Sequence, residues 1–116
     1  MITIKTEDDI EKLREGGRRL AKVVAETSKH IAVGVTTETL NEIAHKMILE
    51  NGDKPSFLNY RPHGAARPFP AAICISINDE IVHGIPGDRV IEDGDVISID
   101  CGAIIEGWHG DAAFSV

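Results

Sequence analysis

The stretch "IDCGAIIEGWHGD", residues 99–111, decides the fold of this chain. Ile99 to Ile105 is rich in β-branched residues, and Glu106-Gly107 has the length and chemistry of a two-residue hairpin loop. A two-residue loop sets Ile105 opposite Trp108, and each further step pairs one more residue on either strand, so Gly102 faces Asp111. Asp100 lies two residues from Gly102 and therefore points to the same side. Asp100 and Asp111 become diagonal cross-strand neighbours on one face of the sheet. A slip of one residue would send either side chain to the other face. His109, between the two aspartates, is expected on the face opposite Asp111.

Two carboxylates held together on a largely apolar sheet repel each other, and keeping both ionised costs several kcal/mol (on the order of 2–5) without compensation. A shared proton, a basic partner or a metal ion would each supply it. Neither strand contains a lysine or arginine, and Gly102 opposite Asp111 leaves space beside the carboxylates. The balance tilts to a divalent metal, with two ions bridged by a carboxylate as one arrangement. The competing reading places both aspartates on a solvated face with no ligand, as is common for Asp.

Around this hairpin the chain reads as an α+β unit. Thr6 is an N-cap with Glu7, Asp8 and Asp9 in the first turn, where negative charge suits the helix dipole. Ile10, Leu13, Gly17, Leu20, Val24 and Ile31 recur near the helical period, and Gly34 suits the position just past the end. Thr36 or Thr37 opens a second helix with Leu40, Ile43, Ala44, Met47 and Ile48 inward and Asn51-Gly52 as its stop. His30 and His45 sit on these helices without an i+4 ligand partner and read as solvated or capping residues. "AAICISIN" (71–78) alternates, with Ile73, Ile75 and Ile77 on one face and Cys74 and Ser76 on the other, which predicts a half-buried strand. "GIPGD" and "EDGD" mark turns.

A chain of 116 residues is long enough for one domain with a core, and residues 1–116 are read as a single domain. The formal charge of -7 argues against a nucleic-acid surface and against an anionic membrane, and favours a cationic partner such as a metal ion or an amino terminus. Cys74 and Cys101, the two cysteines, both lie in apolar strand-like runs and read as buried thiols in a reducing compartment. No apolar run at the start resembles a signal peptide or a membrane span, so the expected location is cytoplasmic.

Two further regions carry candidate chemistry. His83, in "VHGIP", falls at an expected strand end beside Gly84 and Pro86, where a sharp turn aims a side chain into a cleft; a surface histidine is the alternative. "PSFLNYRPHGAARPFP" (55–70) has no period, and its prolines, glycine and arginines mark an irregular loop. Phe57, Tyr60 and Phe69 are three of the five aromatic residues of the chain, and their concentration there suggests an apolar pocket wall rather than a plain connector.

"SINDEIVHGIP" followed by "VISIDCGAIIEGWHGD" resembles the type I methionine aminopeptidases, and "IEKLREGGRRLAKV" and "TTETLNEIAHKMILENGDKPSF" are similar to that family's first two helices. The resemblance covers the whole chain, and the combination of "HGIP" with "GWHGD" favours methionine aminopeptidases over prolidases and creatinases. It implies the N-terminal half of a pita-bread fold, two helices packed on an antiparallel sheet. It implies Asp100 and Asp111 as ligands of a dinuclear centre of cobalt, manganese, iron or zinc, and His83 as the catalytic histidine. Phe57, Tyr60, Phe69 and Cys74 fall where the family lines its methionine pocket, although the loop carrying them is longer than the family's commonest version. The implied reaction removes the N-terminal methionine from a peptide or nascent protein. In the family one further histidine and two glutamates come from a second half, for which nothing in this chain stands in. Little or no hydrolysis is therefore expected from these residues alone, and the partner is the missing C-terminal half or a second copy of the chain. A non-enzymatic binding module is the remaining alternative.

Overall fold

A computed structural model describes residues 1–116. The element order is α1 (Glu7–Ser28), α2 (Thr37–Glu50), β1 (Lys54–Pro55), β2 (Ile73–Ile77), β3 (Ile97–Ile105) and β4 (Trp108–Ser115), with all strand pairs antiparallel. β3 is the hub. β4 runs along one of its edges, while β2 pairs with residues 97–101 and β1 with residues 103–104.

The hairpin has the expected register. Ile105 pairs with Trp108 and Gly102 with Asp111. Glu106 and Gly107 both take positive φ, 49° and 82°, as a type I′ turn requires. Period two then divides β3. Ile97, Ile99, Cys101, Ala103 and Ile105 are buried against Leu20, Val23, Leu40, Ala44 and Ile48 of the helices. Ser98, Asp100, Gly102 and Ile104 face the other way.

Thr6 caps α1 in a reciprocal capping box with Asp9. The helix ends at Ser28 rather than near Gly34. The reason is tertiary: Gly34 N–H donates to the Ile91 carbonyl and Ile91 N–H to the Val35 carbonyl, both at 2.9 Å, so this segment trades helical hydrogen bonds for pairing with a distant loop. The buried stripe of α1 is Gly16, Leu20, Val23 and Thr27, whereas Ile10 and Gly17 are exposed. Gly16, not Gly17, is the close-contact position, since a Cβ there would sit 3.5 Å from Ile105. Thr36 caps α2, whose Leu40, Ala44 and Ile48 are buried and whose Ile43 and Met47 are half-buried.

β2 departs from the half-buried expectation, for all five of its residues are buried. Its two faces alternate as read, but the loop that follows folds back over its second face and edge. Gly84 N–H donates to Ser76 Oγ at 3.0 Å, and Ile75 N–H donates to the Gly84 carbonyl at 2.9 Å. β1 is an additional strand that overlaps the loop read over 55–70 only at Pro55. A two-residue strand ending in proline carries no periodic signal, and Pro55 has no N–H to give a ladder.

Candidate metal and substrate site

Asp100 is on β3 and Asp111 on β4, each on the face away from the helices, and the Gly102–Asp111 pairing makes them diagonal neighbours. Burial, then hydrogen bonding to the Asp111 carboxyl and the charge on it, push the Asp100 carboxyl up to about 6, while His83 opposes the shift. The Oδ1 atom of Asp100 is buried and has no hydrogen-bond partner. An orphaned carboxylate oxygen beside a second carboxylate is an arrangement a cation would satisfy. The residues present therefore fit a metal, and fit it partially: no group of three or more His, Cys, Asp or Glu converges in a way that could hold an ion.

His83 is placed by backbone geometry rather than by a strand. It has φ of 60°, in the left-handed region, and lies in an irregular loop instead of at a strand end. The loop is pinned on both sides. Gly84 binds β2 so closely that a Cβ there would lie 1.9 Å from the Ile75 carbonyl oxygen. On the other side, Gly87 N–H donates to Thr37 Oγ1 at 2.8 Å and Glu38 N–H donates to the Gly87 carbonyl at 2.9 Å. Sequence reading weighed Thr37 only as a cap, but its hydroxyl anchors the histidine loop.

The pocket wall is built at Gly102. A Cβ at this position would meet Ser56 Oγ at 2.2 Å and the Phe57 ring at 2.8 Å. The space expected beside the carboxylates is thus taken by the aromatic wall, which lets Phe57 approach the aspartate pair. The loop closes on itself through Asn59 N–H to the Phe69 carbonyl and Phe69 N–H to the Tyr60 carbonyl, both at 2.8 Å. Cys74 is the Cα partner of Asp100 on β2, and burial, followed by the two aspartates, pushes its thiol up to about 11, so it is a neutral sulfur contact at neutral pH.

One cavity of about 420 Å³ brings these parts together: Phe57, Tyr60, Phe69, Cys74, His83, Asp100 and Asp111 all line it. An adjoining cavity of about 460 Å³ shares Cys74, His83 and Asp100 with it. Arg67 and Ile85 also line the first cavity and were not singled out in sequence; an arginine in an irregular loop gives no periodic signal of where it points. His109 pairs with Ile104, two residues from Asp111, so it shares the Asp111 face rather than the opposite one, as a period of two requires. It is exposed and does not line the cavity. His30 and His45 lie outside it as well.

The family model for metallopeptidase family M24 matches residues 11–116. The chain belongs to metallopeptidase family M24. Members of this family use divalent metal. The chain is similar to methionine aminopeptidase 1 of Bacillus subtilis, 45% identical over 115 residues that make up 99% of this chain and 44% of that protein. Methionine aminopeptidase of Aquifex aeolicus is 44% identical over 116 residues, 99% of this chain and 45% of that protein. Among solved structures, methionine aminopeptidase from Rickettsia prowazekii superimposes with a TM-score of 0.92 at 37% identity, covering 99% of this chain and 44% of that one. The M24 chain thus spans less than half the length of these relatives, and its two helices on an antiparallel sheet form part of the pita-bread architecture they share.

Proposed function

We propose that this M24 chain carries the first part of a methionine aminopeptidase site, which removes the N-terminal methionine from peptides and nascent proteins in the cytoplasm. The observation that supports it is the single cavity lined at once by the aspartate pair, His83, three aromatic residues and Cys74. In this reading Asp100 and Asp111 hold divalent metal, two ions per complete site, drawn from cobalt, manganese, iron or zinc. When bound, the metal polarises the scissile carbonyl and lowers the pKa of water. The chain's own residues orient the substrate. Phe57, Tyr60 and Phe69 with the neutral Cys74 sulfur form an apolar end for a flexible thioether. His83 is the catalytic histidine at the scissile bond, held in place by the Gly84 and Gly87 contacts.

Two aspartates leave most of a coordination sphere to water or to residues from elsewhere, so metal binding by this chain alone is weak and hydrolysis slight. Calorimetric titration with cobalt or manganese should give weak binding that a Met-initiated peptide strengthens and that Asp100→Asn or Asp111→Asn abolishes. Binding unaffected by both substitutions would reject the assignment. Supplying the remaining segment of a related enzyme should restore cleavage of a Met-Ala peptide.

A second reading, self-association, is favoured by β4, which pairs only with β3 and so leaves its other edge free in this chain. A strict monomer by sedimentation at high concentration would remove it.

A further inference from the structure

The cavity is acidic at its floor, yet one wall is not. From Lys54 to Asn78 the chain has no acidic residue and contains Lys54, Arg61 and Arg67. Arg67 lines the cavity that also contains Asp100 and Asp111. It makes no ion pair within 4.0 Å: the basic residues that do are Lys12, Arg14, Arg18, Arg19, Lys29, Lys46 and Arg89. Arg67 is thus a cation that lines this cavity without an ion-pair partner, in a chain of net charge -7.

Its backbone is also prepared. Arg67 precedes Pro68, which steers it away from helical conformations, and the Asn59–Phe69 and Tyr60–Phe69 hydrogen bonds close the loop below it. Arg61 differs. Its Nε donates to the Ala65 carbonyl at 3.0 Å, and it does not line the cavity.

We propose that Arg67 is a specificity-determining residue that binds a substrate carboxylate placed beyond the first residue of the peptide. The inference rests on the reading of this cavity as the substrate site. A guanidinium presents paired N–H donors that match a carboxylate, which a lysine would not do. The carboxylate comes from an acidic side chain or from the C-terminus of a short peptide. Pairing of either with Arg67 offsets the repulsion that an acidic peptide meets from the rest of this chain.

The test is an NMR titration of the zinc-supplemented full chain with Met peptides that have Asp or the isosteric Asn at the second or third position, all C-terminally amidated. A Met peptide with uncharged side chains and a free, negatively charged C-terminus is the further arm. The Asp peptide, the free-terminus peptide or both should bind about three- to fivefold more tightly than the neutral amide at about 50 mM salt, and the advantage should fade at about 500 mM. Arg67→Gln should bring the ratio to about one, Arg67→Lys should keep part of it, and Arg61→Gln should leave it within about twofold of the parent. Which charged peptide gains identifies the source of the carboxylate. Equal affinity for charged and neutral peptides, or a preference that survives Arg67→Gln, overturns the proposal. Replacing Met by Gly separates the two readings: an acid preference that persists with no loss of affinity rejects the methionine pocket and keeps the Arg67 role. Absence of binding by every peptide rejects both.

Discussion

The two faces of β3 come from the same nine residues and do opposite work. On the helix side Ile97, Ile99, Cys101, Ala103 and Ile105 are at most 2% exposed and make up the centre of the core. On the other side Asp100 sits half-buried beside Asp111, with Phe57 filling the space over Gly102. One face stabilises and the other stores an electrostatic cost. The rigidity of the first is what lets the second hold two like charges in place, as a site assembled on a packed strand keeps its geometry better than one on a free loop.

This contrast can be broken from either side. Ile99→Ala removes packing from the stable face and should destabilise the chain by about 2–5 kcal/mol in urea unfolding, the largest effect expected. Gly102→Ala acts on the other face. Its Cβ collides with Ser56 and the Phe57 ring, so the aromatic wall should be displaced, with a cost of about 1–3 kcal/mol and weakened Met-peptide binding in the same titration.

Asp100→Asn removes the electrostatic cost stored on the second face. Because the folded carboxyl is raised from 3.8 to about 6, the folded state binds more protons than the unfolded state between those values, so the parent loses stability as pH rises through that window. Metal-free Asp100→Asn should therefore be more stable than the parent at pH 7.5, by about 1 kcal/mol once solvent screening at this half-exposed pair is allowed for, and the gain should vanish toward pH 4. Thermal melts across that range would check it; a gain that grows toward low pH would contradict the sign. The smallest effect belongs to the turn. Glu106 holds φ of 49° without being Gly or Asn, so Glu106→Asn should stabilise the hairpin by about 0.5 kcal/mol and leave the register unchanged, as judged by cross-strand NOEs.

The site was legible in sequence to unequal degrees. The hairpin loop has a fixed length, so counting back from Glu106-Gly107 reached the Gly102–Asp111 pair correctly. The same parity places His109 with Asp111, a step at which the sequence reading assigned the wrong face. The 3.6-residue pattern located both helices but not the end of α1, since pairing of Gly34 and Val35 with Ile91 is a contact between distant residues. Arg67 and the Thr37–Gly87 anchor were missed because irregular loops have no period from which to infer direction.

From the sequence, local rules reach the cap at Thr6, a second cap at Thr36 or Thr37, the two-residue turn, the alternation of β3, and the pairing of two carboxylates; the structure selects Thr36. How the loops meet these elements depends on long-range packing. It took the backbone contact of Gly84 with β2 to place His83, and the missing Cβ of Gly102 to admit Phe57. Both are close approaches between separate segments, Gly84 with Ile75 and Gly102 with Phe57, fixed by packing rather than by any adjacent residue in the chain.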